Sequence, residues 1–161
     1  MGILDNIFGG SSSNDDKYVL LTMFGFQLAM SDGKYDKEEG QMLGAFLANV
    51  PGMTQDRQRK IVEKAQYNAE NNVQVFTPDE MLNMSMDDKN EIINGLVAVS
   101  MADGHFHGEE LVYIFMVGVS LGLDLEHLVG FLMENYDIDE NEAKAAFDRL
   151  GKWMKENGYS N

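Results

Sequence analysis

Two stretches of the chain carry the residue types from which a cation site is built. Asp103-Gly104-His105-Phe106-His107-Gly108-Glu109-Glu110 holds an Asp and a Glu seven positions apart, and Asp32-Gly33-Lys34-Tyr35-Asp36-Lys37-Glu38-Glu39 repeats the pattern 71 residues earlier without a gap. In each copy the Glu that ends the motif stands three and four positions before apolar residues, Met42 and Leu43 in one, Tyr113 and Ile114 in the other. That spacing puts Glu39 and Glu110 on the inward stripe of a helix, with Glu38 and Glu109 beside it. A carboxylate on a buried face requires a proton, a basic partner, a helix N-terminus or a metal ion. If the two copies pack together, carboxylates about 4 Å apart repel by roughly 4 kcal/mol at an effective dielectric near 20.

A divalent cation answers that repulsion, and hard oxygen donors favour Ca²⁺ or Mg²⁺ over Zn²⁺. The candidate ligands are Asp32, Glu39, Asp103 and Glu110, with Asp36, His105 and His107 as additional candidates. The two imidazoles are the donors that turn preference toward Zn²⁺ or Ni²⁺. The same residues also have a purely architectural reading. A Glu in the third position of a helix accepts from the backbone of its cap and sits at the positive end of the helix, and an Asp before Gly makes an Asx turn.

The elements that must position these motifs are helices. Val19, Leu20, Met23, Phe24, Gln27 and Met30 follow three-and-four spacing before the first motif, and Met42, Leu43, Phe46, Leu47 and Val50 follow it. Ile92, Ile93, Leu96, Val97 and Val99 lead to the second motif, and a helix over 108–121 leaves it. The unit is helix, Asp-Gly turn, helix, used twice. Thr54, Thr77 with Pro78 and Glu80, Ser85, Asp124, and Asp139 with Glu142 read as starts of further helices. No strand pattern competes. The expectation is an all-α fold: a single compact domain over 15–161 of about seven helices, built on two pseudo-symmetric helix-turn-helix repeats. Residues 1–14 read as a flexible amphipathic tag, with Ile3, Leu4, Ile7 and Phe8 on one stripe, followed by a Gly/Ser linker.

Composition narrows the function. Twelve basic against 27 acidic residues give a net charge of -15, which repels phosphate backbones and anionic lipid and attracts cations or basic protein surfaces. Nucleic acid is therefore not an expected partner. The absence of cysteine removes disulfides, thiolate catalysis and reduction of a substrate by the chain's own thiols. Neither a signal peptide nor a stretch of about 20 apolar residues is present, so a cytoplasmic protein with at most peripheral membrane association is expected. Asp137-Ile138-Asp139-Glu140-Asn141 opens like a calcium loop but lacks the required Gly. Met81, Met84 and Met86 read as fillers of core gaps rather than a partner surface.

The paired Asp-Gly motifs over 29–39 and 100–110, with the Leu121-Gly122-Leu123-Asp124 break that follows, resemble the tellurite-resistance TerB family and its TerB-like relatives. Ser31, and His105 and His107 around Phe106, depart from its pattern. The resemblance implies an all-helical, non-enzymatic cytoplasmic protein of tellurite and chemical-stress response, without an organic cofactor. It also implies a metal held by the paired acidic motifs, at Asp32, Glu39, Asp103 and Glu110, and a protein partner such as the membrane protein TerC at the inner face of the membrane. Two alternatives stand beside it: a metal-free helical interaction scaffold, and, weakest, a hydrolase using a metal-bound water. The hydrolase lacks a nucleophile elbow, a phosphate loop and paired His ligands on a helix.

Overall fold

Helix starts in this chain are written in their caps. Thr54 Oγ1 accepts from the Arg57 amide at 3.1 Å, Ser85 Oγ from the Asp88 amide at 3.2 Å, and Asp124 Oδ1 from the Glu126 amide at 3.1 Å. Thr77 and Glu80 form a reciprocal capping box, each bond 3.1 Å, with Pro78 in the first turn. Asp139 accepts from Asn141, one residue short of the expected Glu142. Each cap satisfies an amide that the helix itself leaves without a partner.

The computed structural model describes residues 13–30, 37–102 and 108–158. Among them the helices are α1 Ser13–Ala29, α2 Lys37–Ala48, α3 Gln55–Glu70, α4 Pro78–Leu82, α5 Met86–Ser100, α6 Gly108–Ser120, α7 Leu125–Asn135 and α8 Glu140–Glu156. Seven are long and α4 is five residues. No strand occurs among the described residues, so the all-α expectation holds. Helix α1 begins at Ser13, inside the segment read as linker, and the rest of the N-terminal tag lies outside the described residues.

Helices α1 and α5 form the centre. Leu21, Ile92, Leu96, Val97 and Val99 are wholly buried there, and α2, α3 and α6 pack around the pair. Gly95 permits the closest approach. A Cβ at that position would lie 2.8 Å from the Leu21 methyls and 3.1 Å from the Phe46 ring, so α1, α2 and α5 converge on a residue without a side chain. The C-terminal α8 packs on α6, where Phe115 meets Phe147 edge-on at 5.8 Å.

Several positions read as inward face outward instead. Met42 is 36% exposed, Met30 is also exposed, and Gln27 is at the surface. Helix α2 buries Glu39, Leu43 and Leu47 and leaves Met42 outside that face, and Met30 lies past the last turn of α1. Met86 is exposed as well, against the expectation that it fills a gap in the core.

Candidate metal centre

Helices α1 and α5, which precede the two motifs in the chain, lie side by side. Lys17 meets Asp88, Tyr18 meets Glu91 and Leu21 lies against Gly95, so contacts advance together along both helices and the two run parallel. Their C-terminal ends, at Ala29 and Ser100, therefore lie at the same end of the pair. Helix α2 packs on α5 and on α1, whereas α6 meets α5 more than α1, so the two helix-turn-helix units do not pack reciprocally. Most of the packing of α6 is against α8, with α7 also beside it.

At the α1/α6 contact the Tyr113 hydroxyl donates to Gln27 Oε1, and the Tyr113 ring meets Phe24 edge-on at 6.4 Å. Burial pushes the Tyr113 hydroxyl pKa well up, which keeps it a donor. This contact joins the last turns of α1, just before the first motif, to the first turns of α6, just after Glu110.

At the opposite end of the pair Lys17 Nζ reaches Asp88 Oδ1 at 2.9 Å and Glu91 Oε2 at 2.7 Å, and lies 4.9 Å from the Tyr18 ring centroid. Tyr18 Oη donates to Glu91 Oε1 at 2.6 Å. This cluster fixes α1 against α5.

Glu39 and Glu110 occupy equivalent places. Each is the third residue of its helix, and they are 4% and 5% exposed, while their neighbours Glu38 and Glu109 face solvent. Both glutamates take part in polar interactions within the protein. The first turn of a helix favours a negative charge by up to about 1 kcal/mol, less than burial of a carboxylate costs. Asp32, Asp36, Asp103, His105 and His107 lie outside the described residues. Among the described residues, no three His, Asp or Glu side chains gather closely enough to hold an ion.

Two residues near the second motif stand outside the expected site residues. Arg149 on α8 brings its Nη1 to 4.0 Å from where a Cβ on Gly108 would stand, so a guanidinium flanks the first turn of α6. Ser100, the last residue of α5, is buried, and its Oγ makes no hydrogen bond among the described residues. Ser100 aligns with the buried Ala29 of the first copy, and that polar-for-apolar exchange was the available clue. Arg149 lies beyond the repeats and had none. A buried hydroxyl beside the motif and two buried carboxylates are oxygen donors of the kind a hard cation takes.

The architecture is that of an all-helical domain centred on a parallel helix pair, with Glu39 and Glu110 buried in the first turns of α2 and α6. The family model described as tellurite resistance protein TerB matches residues 19–129, from α1 into α7, and the chain belongs to that family. No curated protein and no solved structure matches it.

Proposed function

We propose that this chain is a non-catalytic, tellurite-resistance-associated stress-response module that binds one divalent cation with Asp32, Glu39, Asp103 and Glu110 and recruits a protein partner. Ca²⁺ or Mg²⁺ suits this donor set better than Zn²⁺. The observation that carries the reading is the equivalent burial of Glu39 and Glu110 in the first turns of α2 and α6. The cation would supply charge compensation and tie the two motifs together. Membership of the TerB family and the parallel α1/α5 pair support the same reading. No helix among the described residues is long and apolar enough to cross a membrane, so a TerC-like membrane partner at the cytoplasmic face would be met by docking.

The scaffold reading rests on the position of both glutamates at the starts of helices, where capping alone can hold them. Calorimetric titration of chelator-stripped protein with Ca²⁺, Mg²⁺ and Zn²⁺ separates the two. The cation reading expects micromolar binding of Ca²⁺ or Mg²⁺, and at a hundredfold excess over Kd a stabilisation of about 2.7 kcal/mol. Glu39→Gln with Glu110→Gln removes charge at nearly constant shape and should abolish that binding. Preference for Zn²⁺ would bring in His105 and His107, while absence of both binding and thermal shift leaves capping as their role.

A further inference from the structure

We infer that the α4 segment and the start of α5 form a docking surface for a basic, amphipathic peptide segment, with Leu82 and Met86 as its apolar anchors. This rests on the partner-recruiting half of the proposed function and is independent of the cation half. Leu82 is 48% exposed and Met86 59% exposed, among the largest openings of any apolar side chains described. Neither sits on a loose strand of chain. The Thr77 capping box fixes α4, the Ser85 cap fixes the first turn of α5, and a Leu82 methyl rests 2.8 Å from where a Cβ on Gly122 would stand. Gly122 holds φ at 73°, a conformation that excludes most side chains, so the cradle for Leu82 is built into the α6–α7 turn. Exposed apolar groups held this rigidly lose little freedom when a partner covers them, and methionine adapts to the shape it meets.

Charge selects the occupant. Between Lys64 and Lys89 the chain has no Lys or Arg, while Asp79, Glu80 and Asp87, within a few residues of the anchors in the chain, are exposed. Lys89 does not offset them toward an incoming partner, since it is buried and its Nζ donates to the Leu82 carbonyl at 2.8 Å. Asp124, exposed two residues past Gly122, adds a carboxylate on the side of the α7 cap. Exposed apolar anchors in a segment whose exposed charges are all carboxylates are the complement of a helix that carries Leu or Phe on one face and Lys or Arg at its edges. A second copy of this chain would bring the same carboxylates and repel, and so would an anionic lipid surface.

The probe is a synthetic helical peptide of Leu and Lys at three-and-four spacing, titrated into chelator-stripped, isotope-labelled protein at physiological salt and followed by amide shifts. The expected result is saturable binding with the largest shifts around Leu82 and Met86. Met86→Ser should weaken binding about tenfold, as loss of an anchor does. Asp79→Asn with Asp87→Asn should weaken it less and flatten its salt dependence. Leu82→Ser is a second anchor test, and Met86→Ser decides alone if Leu82→Ser lowers the melting temperature. Shifts centred elsewhere, equal binding by a Leu/Glu peptide, binding of anionic vesicles at this face, or affinity unchanged by Met86→Ser would overturn the inference. Because no cation is present, none of these outcomes depends on the metal site.

Discussion

Replacing Lys17 by Met removes an ammonium while keeping most of the stem that packs between α1 and α5. Its side chain is 10% exposed, and its partners Asp88 and Glu91 are 39% and 32% exposed. Exposed ion pairs contribute about 0.2–1 kcal/mol, whereas truncating one member of a buried pair costs about 3–5 kcal/mol. With the cation buried and its carboxylates about a third open, the loss should fall between, near 2 kcal/mol. For a domain of this size each kcal/mol moves the melting midpoint by about 2–4 °C, so Lys17→Met should melt about 4–8 °C below the parent. Calorimetric or circular-dichroism melts at neutral pH read this directly. Lys60→Met is the control: Lys60 reaches Asp56 at 3.3 Å, but both side chains are more than half exposed, and the midpoint should not move. Equal midpoints for parent and Lys17→Met, or an equal loss in Lys60→Met, would refute the argument that this cluster aligns the central pair.

Two further outcomes follow from the same neighbourhood and from the second motif. Burial lowers the Lys17 pKa, but hydrogen bonds to Glu91 and Asp88 more than reverse this, and burial with the Glu91 bond pushes the Tyr18 hydroxyl up to about 12. Both folded-state values exceed the unfolded ones, so the stability they supply is full below about pH 10 and is lost as pH climbs through the folded values. Melting midpoints should therefore fall steeply from about pH 10 to 12, and less so in Tyr18→Phe; an equal slope in that variant would contradict the assignment. Ser100→Ala removes a buried hydroxyl that has no hydrogen bond among the described residues and should stabilise cation-free protein by about 1 kcal/mol, read as a raised melting midpoint. A lowered midpoint would mean that the hydroxyl is satisfied in solution.

Periodicity and caps made the helices legible, because Thr54, Thr77, Ser85, Asp124 and Asp139 each announce a helix start through a local hydrogen bond. The inward placement of Glu39 and Glu110 was legible for the same reason, since spacing to the next apolar residues decides which face a side chain takes. Relations between helices were not. Lys17 and Asp88 stand at equivalent places in the two copies, yet only the parallel packing of α1 on α5 makes them meet. Arg149 reaches Gly108 through the packing of α8 on α6, which no local pattern encodes. Met42 and Met86 lie outward where the sequence points inward, because composition tells that a residue is apolar, not whether a neighbouring helix exists to cover it.

Paramagnetic broadening by Mn²⁺ tests the central claim most directly, because the ion broadens signals only near where it binds and substitutes for hard divalent cations. At substoichiometric Mn²⁺ the amides around Glu39 and those around Glu110 should broaden together, with a single saturable affinity that Ca²⁺ or Mg²⁺ competes away. Broadening of one set alone, or spread over the exposed carboxylates of α7 and α8, would contradict a cation shared between the two motifs.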